Sequence, residues 1–326
     1  MSTLLTGITT SGTPHLGNYV GAIKPSIAKS KDFKKNFLFL ADYHSLIKNQ
    51  DPELTFKSSI EIAAAWIACG IDFKKVIFYR QSSIPQILEL NWIFTSVTPK
   101  GILNRAHAYK AAVDLNDKTD PDSGINAGLF NYPILMAADI LLFDANFVPV
   151  GSDQKQHIEM TRDIAGRFNN SYGETFDLPE PIISTDIPLL PGLDGRKMSK
   201  SYKNFIELFS SEKNLQKSIN QIVTDSLMPG DSKNTKDSIL FEYFSAFLTQ
   251  DKLKDVEELF KEGAGWGELK KMLFEIINEE LIPLREKYEE LVSKPDTIEE
   301  ILLAGEKQAI IPVSYTHLRA HETSKH

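Results

Sequence analysis

Cysteine is nearly absent from this chain of 326 residues, which contains a single one, Cys69. One thiol can form neither an internal disulfide nor a cysteine-rich zinc site, so we expect neither disulfides nor zinc. Cys69 lies at the end of the apolar run 63–69. Its simplest interpretation is a small side chain of the core.

Long apolar runs are also missing. No uninterrupted run is long enough to cross a bilayer, and the N-terminus lacks the basic segment that opens a signal peptide. Hydrophobic residues make up 42% and charged residues 25% of the chain, which is ordinary for globular domains. We expect a cytoplasmic protein that does not span a membrane and has length enough for one large domain or two of usual size.

Positive charge is in the minority, and the net charge of −8 ordinarily disfavours nucleic-acid binding. The imbalance is local, however. Residues 251–308 contain 16 acidic and 9 basic side chains, a difference of −7, so the rest of the chain is close to neutral. A basic surface for RNA is therefore allowed elsewhere, although the composition does not require one.

Short apolar runs alternate with longer helix-patterned stretches over roughly the first half of the chain. The runs are continuously apolar, which is typical of parallel strands buried on both faces. This pattern predicts an α/β fold with a doubly wound, Rossmann-like parallel sheet. The predicted strands are 4–8, 37–41, 76–79 and 147–150.

Helix signals mark the rest of the chain. Asp51 as N-cap, Pro52 at the first helical position and Gly70 as a stop predict one long helix. The Pro-rich segment 179–192 predicts an inter-domain crossing. Beyond it the apolar spacing is helical, which predicts a smaller all-helical C-terminal domain. We divide the chain into an α/β domain at 1–190, a mobile loop at 191–204, a helical domain at 205–308 and a tail at 309–326.

The tail has an unusual composition, because three of the seven histidines fall within residues 317–326. The helical periodicity stops after Gln308, and residues 314–323 resemble translated adapter or vector sequence. We therefore interpret 309–326 as a non-native addition outside the fold. A histidine-rich metal tail is the alternative.

A loop of small and polar residues follows the first predicted strand near Gly7 and leads into a helix at about Tyr19. A strand, a Gly-containing turn and a helix N-terminus bind phosphate well, because exposed N–H groups and the helix dipole favour anions. His15 and Asn18 would add side-chain donors. The loop matches neither the Gly-x-Gly-x-x-Gly fingerprint nor the Walker loop, so an ordinary turn with a surface histidine is the alternative.

The segment Lys-Met-Ser-Lys-Ser at 197–201 puts two ammonium groups three residues apart, just after the Pro-rich crossing. We interpret it as a mobile clamp for pyrophosphate. A solvated surface loop is the alternative, since charged runs are usually exposed.

Two more segments place polar residues at predicted ligand positions. Residues 151–154 follow the fourth strand and open a helix over 155–168, at the carboxyl edge of the sheet where open α/β folds bind ligands. Asp153 and Gln156 could instead form a capping pair. Asp139 lies inside the otherwise apolar helix 132–142, where a carboxylate is costly unless it is satisfied.

These motifs resemble those of the class I aminoacyl-tRNA synthetases. Residues 15–18 resemble the family's His-x-Gly-His motif with asparagine in the fourth position, and 197–201 are its second motif in full. Residues 136–139 and 148–154 are similar to the tryptophanyl branch, over roughly 3–308. Departures are Thr9-Thr10 in place of Gln-Pro, Leu5 in place of an aromatic residue, and a last helix lost after Gln308.

The resemblance implies a ligase that activates L-tryptophan with ATP and Mg²⁺ to tryptophanyl-adenylate and then transfers it to tRNA(Trp). It also implies a homodimer. A tyrosyl-tRNA synthetase is disfavoured by the Met-Ala-Ala sequence before Asp139. A non-synthetase nucleotidyltransferase is disfavoured by the helical domain, and a non-catalytic RNA-binding relative by the retained lysines.

The resemblance also implies site residues, none of which is expected to bind a metal. The residues expected to stabilise charge during catalysis are Lys197, Lys200, His15 and Asn18. The ATP contacts are Thr9, Thr10, Ser11, Gly17, Asn18, Gly151, Ser152, Asp153, Ile187, Lys197, Met198, Ser199, Lys200 and Ser201. The tryptophan contacts are Asp139, Gly7, His44, Met136, Val148, Val150 and Gln154, with Asp139 as the acceptor of the indole N–H.

Overall fold

A parallel sheet organises the N-terminal part of the chain. The structure is a computed structural model that describes residues 2–10, 12–151, 154–183 and 190–323. Its five strands follow the order β3-β2-β1-β4-β5, and every pair is parallel. The strands are β1 (Thr3–Thr9), β2 (Lys35–Ala41), β3 (Val76–Arg80), β4 (Phe147–Val150) and β5 (Glu180–Ile183). The predicted doubly wound α/β fold is confirmed, with all four predicted strands in place.

Helices connect and cover these strands. In the N-terminal part they are α1 (Leu16–Asn18), α2 (Lys24–Ser30), α3 (Asp42–Ser45), α4 (Pro52–Ala68), α5 (Gln86–Val97), α6 (Lys100–Leu103), α7 (His107–Val113), α8 (Ala127–Leu142) and α9 (Lys155–Tyr172). A π-helical turn joins α1 to α2, and a 3₁₀ turn follows β3. The C-terminal helices are α10 (Glu212–Asn220), α11 (Ile239–Phe247), α12 (Gln250–Glu262), α13 (Trp266–Val292) and α14 (Pro295–Thr323). None of the helices in the described ranges is both long and apolar enough to cross a membrane.

The sheet is buried on both faces, which explains why its strands are continuously apolar. In β2, Leu38 and Leu40 pack into a cluster that contains α4 and the C-terminal helices. Phe37 and Phe39, on the opposite face, pack into a second cluster with α5, α8 and α9. The central strands are therefore held between two separate cores.

Helix α4 begins and ends as its sequence predicts. The Asp51 carboxylate accepts hydrogen bonds from the backbone N–H groups of Glu53 and Leu54, both at 3.0 Å. Pro52 occupies the first turn, and Gly70, just beyond the helix, has a positive φ of 99°. The Asp-Pro start and the glycine stop supply the usual helix-ending chemistry.

The crossing predicted at 179–192 contains a fifth strand. Residues Glu180–Ile183 form β5, which pairs with β4 at the edge of the sheet. Pro181 is compatible with this position because an edge strand leaves one side of its backbone unpaired. The Pro-rich composition concealed the strand from sequence analysis.

Polar contacts attach the C-terminal helices to the N-terminal part. Glu280 on α13 accepts a hydrogen bond from the Tyr19 hydroxyl at 2.6 Å and one from the Lys24 ammonium at 2.7 Å. Burial, reinforced by Glu280, raises the pKa of the Tyr19 hydroxyl well above its usual value. The phenol therefore remains a donor at neutral pH, and α13 is pinned beside the turn that carries His15.

Helix α14 differs from the sequence expectation. We expected helical periodicity to end after Gln308, but α14 continues to Thr323. Ala309, Val313 and Ala320 are almost completely buried and pack into the same cluster as α8. These small residues recur on one side of the helix, which explains how the segment remains helical. The proposed non-native origin of 309–326 stays a prediction.

Candidate functional site

The carboxyl ends of the strands define the site. Strands β2 and β3 are added in turn on one side of β1, and β4 is added on the other side of β1. The chain therefore reverses its winding between β1 and β4, and open α/β sheets bind ligands at such a switch point. Thr9, Gln81 and Gly151 come at or directly after the ends of three of these strands.

The turn after β1 is fixed by a reciprocal capping pair. His15 Nδ1 accepts from the Asn18 backbone N–H at 3.2 Å, and Asn18 Oδ1 accepts from the His15 backbone N–H at 3.0 Å. The proton of the neutral imidazole therefore lies on Nε2. Both side chains are held at the start of α1, with His15 Nε2 and Asn18 Nδ2 as donors that the capping pair leaves unused.

Desolvation controls the charge of His15. Burial lowers the pKa of its imidazole to about 4, and the nearby Lys200 ammonium contributes in the same direction. The ring is therefore neutral at physiological pH. It can act as an N–H donor, but it does not supply a full positive charge.

The lysine-rich loop lies against this turn, although the two are far apart in the chain. Met198 is buried, and its Sδ accepts a hydrogen bond from the Gly17 N–H at 3.3 Å. Backbone hydrogen bonds extend the contact, from Leu16 N to Ile206 O at 2.8 Å and from Leu208 N to Pro14 O at 3.1 Å. The structure thus brings the two sequence motifs to one place.

Lys200 reaches across to the loop after β1. A Cβ built on Gly12, whose φ is +81°, would stand 3.1 Å from Lys200 Nζ. Partial burial lowers the pKa of this ammonium, while the carboxylates of Glu61 and Glu207 oppose the decrease. The Lys200 ammonium therefore lies next to the turn that was predicted to bind phosphate.

Lys197 is exposed at the other end of the motif. Its backbone carbonyl accepts a hydrogen bond from Asn204 Nδ2 at 3.2 Å. Within the same loop, the Ser201 N–H donates to Ser199 Oγ at 3.3 Å. The two lysines therefore project from a loop that is folded by its own hydrogen bonds.

Asp139 is almost fully buried on α8, with 1% of its surface exposed. Its Oδ1 accepts from Gln81 Nε2 at 2.8 Å, and its Oδ2 accepts from Gln81 at 2.9 Å and contacts His44 Nε2 at 2.9 Å. Burial raises the pKa of this carboxyl, and the hydrogen bonds from His44 and Gln81 oppose the rise. A carboxylate accepts about four hydrogen bonds, so the contacts with described residues leave roughly one position, on Oδ1.

Gln81 and Tyr132 are site residues that sequence reasoning missed. Gln81 is fully buried, directly follows β3, and accepts from the Tyr43 N–H at 3.1 Å while it donates to Asp139. Tyr132 lies edge-on to His44 with ring centroids 6.4 Å apart, and its hydroxyl contacts His157 Nε2 at 2.5 Å. The position of Gln81 at a strand end was the available signal. Tyr132 lies nearly two turns before Asp139 on the same helix.

The apolar residues predicted to line the tryptophan site share one face of the sheet. Val148 and Val150 are buried in the cluster under α8, and Met136 packs against it from α8 itself. Gly7 lies beside this group, since a Cβ there would stand 2.6 Å from the Phe39 ring. The predicted indole side of the site thus faces α8, whereas the lysine loop docks on the turn at α1.

Other predicted contacts have mixed outcomes. Thr10 is buried, and both its N–H and its hydroxyl contact Ser45 Oγ, at 2.9 and 2.8 Å, so its side chain is already engaged in the turn. Thr9, Gly151 and Gln154 are exposed near the carboxyl ends of β1 and β4. Ser11, Ser152, Asp153 and Ile187 lie outside the described residues. Gln156, the suggested capping partner of Asp153, bonds the backbone of Arg105 and His107, and the capping pair itself stays a prediction.

The described ranges hold no cluster of three or more histidine, cysteine or carboxylate side chains placed to bind a metal ion.

Cys69 is a partly buried residue packed against the core, as predicted, and burial raises the pKa of its thiol to about 12. The thiol is therefore protonated at neutral pH.

Comparison with known proteins identifies the family. The model of the family described as tRNA synthetases class I (W and Y) matches residues 1–281. The chain belongs to this family. Its membership excludes the non-synthetase nucleotidyltransferase that the sequence alone left open.

Individual relatives show which members of the family this chain is similar to. The tryptophan–tRNA ligase of Xanthomonas axonopodis pv. citri is 57% identical over 306 residues, which cover 93% of this chain and 71% of that protein. The tryptophan–tRNA ligase of Neisseria meningitidis serogroup A is 53% identical over 310 residues, which cover 94% of this chain and 92% of that protein.

Solved structures show the same similarity. Tryptophanyl-tRNA synthetase from Campylobacter jejuni, complexed with ADP and tryptophan, superimposes with a TM-score of 0.90 at 41% identity, covering 99% of this chain and 100% of that one. A tyrosyl-tRNA synthetase from Aeropyrum pernix has a TM-score of 0.69 at 18% identity and covers 94% of this chain and 90% of its own. The second likeness shows the fold alone.

Proposed function

We propose that this chain attaches L-tryptophan to tRNA(Trp) in two steps at the site between β1, α8 and the lysine loop. In the first step, the tryptophan carboxylate attacks the α-phosphorus of ATP, giving tryptophanyl-adenylate and pyrophosphate. In the second, a ribose hydroxyl at the tRNA 3′ end takes the acyl group and releases AMP. Neither step needs a protein nucleophile, so catalysis consists of alignment and charge stabilisation.

The observation that carries this proposal is the contact of the two motifs. The buried Met198 side chain joins the lysine loop to the turn of His15 and Gly17, and it brings Lys200 beside Gly12. A triphosphate in the space between them would meet cationic groups from the loop and N–H donors from the turn. The leaving pyrophosphate gains negative charge as the bond to the α-phosphorus breaks, and these groups stabilise it there.

Each group of the turn has a defined part. Neutral His15 donates from Nε2, and Asn18 donates from Nδ2, because their other polar atoms are used in the capping pair. Lys197 and Lys200 supply the positive charge. Mg²⁺ enters with ATP, held mainly by phosphate oxygens and water, as is usual for this ion.

Asp139 orients the indole. Its one remaining acceptor position on Oδ1 receives the indole N–H, and Val148, Val150 and Met136 contact the ring. A site whose buried polar group requires a donor discriminates strongly against a side chain without one, by roughly 10⁴ to 10⁵. Phenylalanine lacks this donor and would leave the Asp139 position unpaired.

At larger scale, we propose that the enzyme is cytoplasmic and acts as a homodimer. The helical segment 205–308 lies on the anticodon side of the tRNA. Helix α13 belongs to this segment, and its Glu280 accepts hydrogen bonds from Tyr19 and Lys24. The helix therefore links the segment to the turn after β1 that is proposed to bind ATP.

Charging of tRNA tests the proposal directly. Purified protein is incubated with ATP, Mg²⁺, labelled tryptophan and unfractionated bacterial tRNA, and acid-insoluble label is counted. We expect base-labile label on tRNA that depends on ATP. Charging with tyrosine in place of tryptophan would contradict the proposal, as would a complete lack of charging by protein that is folded and binds ATP.

A further inference from the structure

We propose that Asn204 is a positioning residue that holds the lysine loop in one shape and thereby fixes the separation of Lys197 and Lys200. Asn204 lies three residues beyond the motif and is 4% exposed. This inference rests on the proposed function, which assigns both lysines to the pyrophosphate.

The contacts of Asn204 enclose the motif. Its Nδ2 donates to Asp194 Oδ1 at 2.7 Å and to the Lys197 carbonyl at 3.2 Å. Its Oδ1 accepts from the Ser199 N–H at 2.9 Å. The side-chain amide therefore uses both donors and its acceptor on the loop, touching the backbone on both sides of Met198.

The main chain at Asn204 adds a fourth contact, because its carbonyl accepts from the Leu193 N–H at 2.8 Å. Gly192 makes room for this arrangement. A Cβ on Gly192 would stand 2.2 Å from Asn204 Nδ2 and 2.8 Å from its backbone oxygen. Only glycine therefore fits without displacing the amide.

Asp194 joins the same arrangement. Hydrogen bonds from Asn204 and then from Arg196 lower the pKa of the Asp194 carboxyl to about 2, so it remains an ionised acceptor at physiological pH. The Arg196 guanidinium in turn lies over the Tyr202 ring at 4.7 Å. These contacts connect the start and the end of the loop independently of the Met198 contact with Gly17.

The two sets of contacts have different consequences. Met198 joins the loop to the turn of α1, whereas Asn204 sets the internal shape of the loop. A loop that keeps its internal shape can deliver both ammonium groups together, at a fixed spacing. Losing that shape misplaces charges that act in the transition state, and a misplacement of about 1 Å costs on the order of 10²-fold in rate.

The test is pyrophosphate exchange with Asn204→Ala and a matched control, Asn36→Ala. Asn36 is also buried, and its amide donates to two backbone carbonyls, at 3.0 and 3.2 Å, at the start of β2 away from the site. We expect Asn204→Ala to lower kcat on the order of 10²-fold while the KM for tryptophan changes by less than about twofold. Asn36→Ala should lower thermal stability and keep wild-type kcat.

A charge-swap pair separates positioning from general destabilisation. Asn204→Asp puts a second carboxylate beside Asp194 and should reduce kcat at least as much as alanine does. Adding Asp194→Asn restores one donor between the two positions and should recover roughly tenfold of the loss. A double variant no more active than Asn204→Asp would contradict a role for this contact.

Hydrogen exchange distinguishes failure of this inference from failure of the proposed function. The Ser199 N–H should exchange roughly tenfold faster in Asn204→Ala than in wild type or Asn36→Ala, since its acceptor is gone. Folded Asn204→Ala with wild-type kcat and wild-type Ser199 exchange would overturn the inference. Faster Ser199 exchange in Asn204→Ala, combined with a wild-type chain that shows no tryptophan-dependent activity, would instead contradict the proposed function and support the holding role of Asn204.

Discussion

Lys197 and Lys200 present their charges differently, although they belong to one motif. Both side chains are exposed. Part of the Lys200 ammonium is nevertheless desolvated and lies beside Gly12, whereas the contacts of Lys197 with the other described residues are made by its backbone. An exposed ammonium contributes little to the resting structure. Its contribution is therefore expected in the transition state, when charge builds up on pyrophosphate.

Lys197→Ala should slow adenylate formation by roughly 10² to 10³-fold, comparable with the removal of one preorganised electrostatic group. Tryptophan affinity should be nearly unchanged, because the lysine loop docks on the turn at α1 and the proposal assigns Lys197 to the pyrophosphate. Rapid-quench measurement of the adenylate, together with equilibrium binding of tryptophan, checks both statements. Lys213→Ala, an exposed lysine on α10, is the control. Equal losses of affinity and rate would argue against a transition-state role.

Asp139→Ala should remove most of the preference for tryptophan over phenylalanine. The acceptor for the indole N–H is lost, so the two amino acids would differ only in apolar contact, which discriminates by roughly 10 to 200-fold. The measurement is the ratio of kcat/KM for the two amino acids in pyrophosphate exchange. An unchanged ratio in a folded variant would show that Asp139 does not read the indole.

His15 makes stability depend on pH in a predictable direction. Its pKa falls from 6.5 in the unfolded chain to about 4 in the fold, so between these values the unfolded state binds more protons. The free energy of unfolding should therefore decrease as pH falls from about 6.5 to about 4. His15→Asn keeps an N-cap acceptor but removes the titration. Urea unfolding across this range should show a shallower decrease for the variant, and parallel curves would contradict the burial argument.

At the level of the site, sequence reasoning located positions better than contacts. The spacing of the motifs predicted which loops meet, because parallel strands bring their carboxyl ends to one edge. It did not predict that Thr10 is engaged by Ser45, or that His44 and Gln81 leave Asp139 roughly one acceptor position. Such contacts depend on how distant segments pack, and a single sequence carries no record of them.

Among the elements, α14 approaches the sheet closely at one residue. Gly305 on this helix lies against the edge strand β3, where a Cβ would stand 1.7 Å from the Phe78 carbonyl oxygen. Polar pairs flank the contact: Arg80 with Glu299 at 2.7 Å and Ser83 with Glu306 at 2.6 Å. The helix thus covers an edge that would otherwise be open to pairing.

Gly305→Ala should destabilise the protein, because α14 must move away from β3 to accommodate the methyl group. We expect a loss of about 1 to 3 kcal/mol, typical of overpacking. Gly267→Ala is the control, since, apart from the adjoining backbone of α13, no atom of the described residues lies within 4 Å of a Cβ at this position. That change should be neutral or stabilising. Equal melting temperatures for the two variants in calorimetry would show that α14 does not dock so closely.

The predictability of the elements follows from their local signals. Strands β1 to β4 were predicted because each is a continuous apolar run, and α4 because its ends carry capping residues. Strand β5 was missed because it begins with Glu180 and Pro181, which leaves a run of only two apolar residues inside a Pro-rich segment. The continuation of α14 was missed because its buried residues, such as Ala309 and Ala320, are too small to give a strong apolar pattern.

At the scale of the whole molecule, the site depends on both parts of the chain. The N-terminal sheet supplies the turn of His15 and the buried Asp139, and the lysine loop comes from the segment that leads into the C-terminal helices. Segment 206–208 pairs with 14–16, and Glu280 joins α13 to Tyr19 and Lys24. A contact of this kind couples the position of the loop to the position of the helices.

The most direct test of the central claim is ATP–pyrophosphate exchange, measured with each of the twenty amino acids in turn. Exchange reports the activation step alone, without tRNA, so it tests the reaction and its specificity in one assay. We expect exchange with tryptophan, with every other amino acid lower by at least about 10³-fold in kcat/KM. Exchange that is strongest with tyrosine or another amino acid, or that proceeds without any amino acid, would contradict the account.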